Sequence, residues 1–187
     1  MRVLLEAAAR IFEERGVAAA TTDAIAERAG VSVGSLYQYF PNKESLLATL
    51  ATCHVLEVRG AIEPALDAFD SATPFDVALG RFVHAMVALH TTRPRLHRAL
   101  FVEAPYDTDA IRALRALQGE ICARLAHWLS RRPEARLADP VLAARLAVDT
   151  IMSLAHGFAL DSRAGGTPAE REAEIETLLR RYFTGSP

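Results

Sequence analysis

The sequence predicts an all-α protein of about nine helices, with a small N-terminal part of three short helices and a larger helical body after residue 45. Three observations predict it. Apolar residues recur at helical spacing nearly everywhere. Strand-like alternation between turn residues is absent. The breaks between apolar stripes carry helix start and stop signals. With 187 residues, 51% of them hydrophobic, the chain is long and apolar enough to bury a sizeable core, which excludes a disordered chain.

Each element follows from local chemistry. Leu4, Ala8, Ile11 and Phe12 share one face of the first helix, and Gly16 is expected to end it. A second helix spans roughly Thr22 to Ala29 and stops at Gly30. Ser32 starts a third, which runs to about Phe40 and breaks at Pro41-Asn42. The fourth begins at Lys43 and is long enough to reach Phe69, with Pro64 marking a kink or an earlier stop. Thr73-Pro74-Phe75-Asp76 reads as the next start, with Thr73 as cap and Pro74 at the first helical position. A short helix follows Pro94, and a long one runs from about Thr108 to Arg131. Asp139-Pro140 opens the eighth. Thr167-Pro168-Ala169-Glu170 is a capping box for the ninth, whose Ile175, Leu178, Leu179, Tyr182 and Phe183 fall in helical register.

Composition narrows the function. The net charge is −2, so no global basic field announces a nucleic-acid partner, and any such contact must be local. Of the 21 basic residues, only Lys43 is a lysine. Cys53 and Cys122 read as buried reduced thiols. Glu6 and Arg10 interrupt the first apolar stretch, so it does not read as a signal peptide. No uninterrupted apolar run reaches the roughly 18 residues a membrane span needs. A cytoplasmic protein without membrane contact is expected. The six histidines show no metal-ligand spacing, and no nucleophile–base constellation is visible; neither an enzyme nor a cofactor is expected.

The N-terminal part carries the strongest signal. In Ile25-Ala26-Glu27-Arg28-Ala29-Gly30-Val31-Ser32, the small Ala26 and Ala29 let two helices cross closely. Gly30 supplies the positive φ of a tight turn, and Val31 is expected to plug the space between the helices. Leu36 and Phe40 should point inward onto Phe12, Ile25 and Leu46. The opposite face, with Val33, Gly34, Ser35, Tyr37 and Gln38, is that of a recognition helix that enters the major groove.

Residues 4 to 50 resemble the DNA-binding domain of the TetR family of transcriptional regulators. Leu5-Glu6-Ala7-Ala8 with Phe12, Glu14 and Gly16 resembles its first helix. Thr21-Thr22-Asp23-Ala24-Ile25-Ala26-Glu27-Arg28-Ala29-Gly30-Val31-Ser32 resembles its second helix and turn. Gly34-Ser35-Leu36-Tyr37-Gln38-Tyr39-Phe40-Pro41-Asn42-Lys43-Glu44-Ser45-Leu46 resembles its recognition helix and the start of its fourth. Beyond residue 50 the resemblance is to architecture alone. It implies that Thr21 or Thr22, Tyr37, Tyr39 and Lys43 hold DNA phosphates, while Val33, Gly34, Ser35 and Gln38 face base edges. Hydroxyls, a cation and helix N-termini suit phosphate oxygens, and glutamine commonly pairs with adenine. Residues 1–47 hold five basic side chains against six acidic ones, so modest affinity and a shallow salt dependence are expected.

The C-terminal body is expected to bind a ligand and dimerise. The eighth helix is apolar nearly all round and must bury more than one face. With the last helix it would form a four-helix bundle with a twofold partner, as the resemblance also implies. Ala147, Ser153, Leu154, Gly157, Leu178, Leu179, Tyr182 and Phe183 are the expected interface. Cys53, Leu56, Phe82, Met86, Phe101, Trp128, Met152 and His156 are the expected lining of a site for a small, largely apolar effector, with Glu103 or Asp149 as polar anchors or arginine partners. The resulting division is 1–45 for a helix-turn-helix DNA-binding domain and 46–187 for a ligand-binding and dimerisation domain. The function expected is a ligand-responsive regulator, a repressor acting as a homodimer on a palindromic operator in double-stranded DNA. The alternative is a helical small-molecule carrier without DNA binding.

Overall fold

Helix signals in the sequence become nine α-helices, with no strand, among the described residues of the computed structural model. These residues are 1–70, 72–101, 109–160 and 165–185, with side chains described at all but 70, 101 and 158–160. The helices are α1 (Arg2–Ala19), α2 (Thr22–Ala29), α3 (Val33–Tyr39), α4 (Lys43–Asp70), α5 (Phe75–Thr91), α6 (Pro94–Phe101), α7 (Asp109–Ser130), α8 (Pro140–Leu160) and α9 (Pro168–Thr184). The chain divides into two compact units. The first is Met1–Glu57 with Arg93–Arg115, and the second is Val58–Thr92 with Ala116–Pro187.

In the first unit, α1 packs on α2 and α6, and α2 packs on α3. Leu4, Ala8, Ile11 and Phe12 of α1 meet Ile25, Leu36, Phe40, Leu46, Leu96 and Leu100 in one apolar cluster. Bidentate hydrogen bonds from Arg28 to Glu14, at 2.5 and 2.8 Å, tie α2 to α1. That hydrogen bonding holds the Glu14 carboxyl below its ordinary value. Gly16 breaks α1, with φ 74 and ψ 171, a conformation open to glycine. The helix resumes beyond it and closes at Ala19, rather than ending at the glycine as expected.

In the second unit, α5 packs on α8 and α9. Trp128 stacks on Phe69 and Phe75, with ring centroids 4.6 and 4.9 Å apart, and Phe82 joins Phe69 at 5.4 Å. The capping box predicted at Thr167 and Glu170 is present, and Asp139 Oδ1 accepts from the amides of Val141 and Leu142. The start of α5 differs from expectation. Pro74 takes the cap position, with no side-chain capping bond, so Thr73 lies one residue too early. Helix α4 continues through Pro64 without stopping. By length and composition α4 could cross a membrane. It instead buries Ile62, Leu66 and Phe69 and pairs its charged side with α7, through Arg59–Glu120 and Arg124–Glu63. Both cysteines are half-buried free thiols, rather than fully buried.

Candidate nucleic-acid interface

The candidate site is built by capping. Thr21 accepts a hydrogen bond from the Ala24 amide at 3.2 Å and starts α2. Gly30 ends α2 in the left-handed region, with φ 69 and ψ 29, and its N–H donates back to the carbonyls of Ala26 and Glu27. No Cβ could adopt that backbone without strain, so the turn depends on glycine here. The chain then emerges at Ser32, whose hydroxyl accepts from the Ser35 amide at 3.0 Å and starts α3.

Leu36 is the inward anchor of α3 and is fully buried, with Phe40 buried one turn later. This fixes which face turns outward: Gly34, Tyr37, Gln38 and Tyr39 are all exposed. Tyr37 is 48% and Tyr39 58% exposed, high for large aromatic side chains. Thr22 and Tyr37, read separately from the sequence, meet here: their hydroxyls lie 3.2 Å apart and join α2 to α3. A methyl group at Gly34 would find only Ser32 Oγ, at 3.8 Å, so internal packing does not require a glycine there. The exposed face is thus polar, small in the middle and flanked by hydroxyls. That chemistry suits close approach to a polyanion.

The structure places four further residues of this region. Val31, expected to plug the space between the helices, is 37% exposed in the turn between α2 and α3. Val33, expected at base edges, is half-buried against the core of the first unit. Ser35 is half-buried, and its hydroxyl lies 2.8 Å from that of Ser32 on the exposed side. Lys43 does not extend into solvent: its ammonium donates to the carbonyls of Val17 at 2.9 Å and Ala20 at 3.1 Å.

The residues expected to line an effector site divide between the units. Cys53 and Leu56 belong to the first, while Phe82, Met86, Trp128, Met152 and His156 belong to the second. Leu56 is 65% exposed and lines no interior. Phe82 and Trp128 are core aromatics. The Phe101 side chain and Glu103 lie outside the described residues. Asp149 pairs with Arg145 at 3.1 Å and accepts from Gln118 at 3.0 Å; Gln118 also reaches Met152 Sδ at 3.5 Å.

Two histidine pairs escaped the sequence reading. His54 and His97, both buried in the first unit, bring Nε2 and Nδ1 within 3.3 Å. In the second, His90 and His156 meet edge-on, with ring centroids 4.7 Å apart. His90 Nδ1 lies 2.7 Å from the Met86 carbonyl, which makes that nitrogen the N–H. Burial depresses the pKa of His90. Burial, then the neighbouring His90, depresses that of His156.

The expected dimer residues also divide. Leu179, at 1% exposed, Phe183 and Ala147 are buried within their own chain and cannot form an outer face. Leu178, at 49% exposed, Tyr182, Ser153 and Gly157 are exposed, and Leu154 is half-buried. Leu142 and Leu146 extend this apolar surface along α8, a signal present in the α8 periodicity but not used in the sequence reading.

Comparison with known proteins places two family models on the chain. Residues 4–50 match the model for bacterial regulatory proteins of the tetR family, and residues 74–183 match the tetracyclin repressor-like C-terminal domain. An uncharacterised HTH-type transcriptional regulator, YhgD of Bacillus subtilis, is 31% identical over 110 residues, covering 59% of this chain and 56% of that one. The HTH-type transcriptional repressor KstR2 of Rhodococcus jostii is 50% identical over 44 residues, covering 24% of this chain and 22% of its own. The chain spans about half the length, or less, of the curated relatives it matches. Among solved structures, AibR in complex with isovaleryl coenzyme A and operator DNA shares the fold. Its TM-score is 0.71 at 18% identity, with 100% of this chain and 98% of that one covered.

Proposed function

The chain belongs to the TetR family of bacterial regulatory proteins, and from that premise we propose that it is a ligand-responsive repressor that binds a palindromic operator as a homodimer in the cytoplasm. The observation that carries the reading is the outward face of α3. Gly34, Tyr37, Gln38 and Tyr39 are exposed on a helix anchored from beneath by Leu36, and Thr22 reinforces Tyr37. In this reading Thr21 or Thr22, Tyr37, Tyr39 and Lys43 hold phosphates, while Val33, Gly34, Ser35 and Gln38 face base edges, with Gly34 letting the backbone approach. Residues 1–45 form the reading domain and residues 46–187 the effector and dimer domain.

Dimerisation follows from the need for two half-sites. A lone recognition helix reads few base pairs, and paired helices must match successive major grooves about 34–36 Å apart. The exposed apolar surface of Leu142, Leu146, Leu178 and Tyr182 is the face we assign to the partner. The effector we infer is a small, largely apolar molecule bound within the helical body after residue 45. It acts by preferring one of two states of the protein, and α4, continuous from Lys43 to Asp70, is the lever we assign to the transition.

Fluorescence anisotropy on duplexes from around the chain's own gene tests the reading, with a scrambled duplex and Tyr37→Ala as controls. Sequence-selective binding that is lost in the variant is the expected result. A panel of small molecules, isovaleryl coenzyme A among them, should then include one that shifts the binding curve. Equal weak binding to every duplex would favour the second reading, a small-molecule carrier without DNA binding, which the acidic balance of residues 1–47 supports.

A further inference from the structure

Besides Met1 the chain has two methionines, and each stands four residues before a histidine: Met86 before His90, and Met152 before His156. A spacing of four puts both side chains of a pair on one helix face. Met86 and His90 lie on α5, Met152 and His156 on α8, and these two helices pack together within the second unit. Packing brings the histidines into edge-on contact, with ring centroids 4.7 Å apart and planes at 78°. A ring nitrogen of one lies within 4.8 Å of a ring nitrogen of the other.

Three features suit this pair to a metal ion. First, His90 Nδ1 donates to the Met86 carbonyl at 2.7 Å, so its lone pair is on Nε2. A backbone carbonyl that holds the far N–H is a common support of a metal-ligating imidazole. Second, burial favours the neutral form of both rings, which is the form that ligates. Third, the separation is close to a shared bite. At metal–nitrogen bonds of about 2.0–2.1 Å, two ligating nitrogens stand no more than about 4.2 Å apart, so a small ring rotation closes the pair onto one ion. The thioethers decide which ion. Imidazole serves several transition metals, whereas thioether sulfur selects the soft Cu(I). Met86 is buried, and Met152 is half-buried with its sulfur accepting from Gln118 Nε2 at 3.5 Å.

We propose that His90 and His156, with thioether sulfur from Met86 and Met152, form a Cu(I) site between α5 and α8. No His–His spacing marks it in the sequence. The pattern is Met-x-x-x-His on each of two helices, and the two copies converge only when α5 packs on α8. The inference goes beyond the regulator reading and does not rest on it, because ion binding is read directly.

The test is anaerobic competition for Cu(I) between the full chain and the chromophoric chelator bicinchoninate, with folding checked by circular dichroism. Cysteine thiolates also bind Cu(I), so the reference protein carries Cys53→Ser and Cys122→Ser. It should withdraw one Cu(I) per chain, and X-ray absorption should show both nitrogen and sulfur neighbours, the sulfur then coming from methionine. Adding His156→Phe or Met152→Leu should weaken binding at least tenfold, since loss of a mere supporting partner of a ligand already costs about 10–100-fold. Met152→Leu nearly conserves volume, and it carries the test if His156→Phe does not fold. Copper withdrawn only when the cysteines are present, nitrogen neighbours alone, or unchanged affinity in either folded variant would each overturn the proposal.

Discussion

Replacing Gly34 with alanine separates folding from DNA binding at one position. Gly34 is the second residue of α3 and does not have a positive φ. An added methyl would meet only Ser32 Oγ at 3.8 Å, an ordinary van der Waals distance. Glycine costs a helix about 0.5–1 kcal/mol relative to alanine, and the first turn takes the lower end of that range. For a chain of this size about 1 kcal/mol moves Tm by roughly 2–4 °C, so Gly34→Ala should raise Tm by about 1–2 °C. Binding should move the other way. If the backbone at Gly34 lies close to DNA, the methyl occupies space the duplex needs, and Kd should rise at least tenfold, or about 1.4 kcal/mol. Thermal unfolding and anisotropy on one preparation read both effects. A higher Tm with unchanged Kd would refute close approach at this point. A lower Tm would refute the claim that the fold leaves room for the methyl.

Other expectations follow the same logic of exposed against buried groups. Leu178→Glu should halve the mass measured by light scattering while leaving the chain folded, because Leu178 faces outward. Leu179→Ala, one residue on, should destabilise by about 2–5 kcal/mol through a core cavity. Reversal of these two outcomes would exclude the assigned dimer face. Burial depresses the pKa of His90 below its ordinary 6.5, so the unfolded chain binds more protons than the folded one at mildly acidic pH. Stability should therefore be intact above that value and fall as pH drops below it, with a smaller fall in His90→Leu; Tm measured at neutral and acidic pH checks this. The Thr22–Tyr37 contact is exposed and neutral, so a double-mutant cycle with Thr22→Val and Tyr37→Phe should give a coupling of at most about 1 kcal/mol in stability. A larger coupling would mean the pair is structural rather than a surface poised for DNA.

Much of the fold was legible because its signals are local. Gly30, Ser32 and Thr167 act within a few residues of themselves, and the structure places each at the helix end its chemistry predicts. The apolar face of α3 was readable for the same reason: Leu36 and Phe40 are one turn apart and both are buried. Where a cap was misread, at Thr73, the error was a single residue.

The outward parts of the candidate site were only partly legible. A helical stripe identifies which residues share a face, not which part of that face meets the chain's own core. Leu178 and Leu179 are neighbours in one stripe, yet one is exposed and the other buried, where α9 packs on α5 and α8. Val33 packs partly against the core while Val31 is 37% exposed, and the α3 cap between them sets where the helix begins.

By itself the sequence determined the helical class, most of the helix ends and the polar outward face of α3, since each depends largely on contacts within about one turn of chain; the end of α1 beyond Gly16 and the start of α5 at Pro74 were not among them. Tertiary structure decided the rest. It joined His54 to His97 and Thr22 to Tyr37, and it turned the ammonium of Lys43 onto the carbonyls of Val17 and Ala20. Those carbonyls are backbone atoms that every residue carries, so no residue pattern marks them as acceptors; only packing α1 beside the start of α4 brings them within reach of the single lysine.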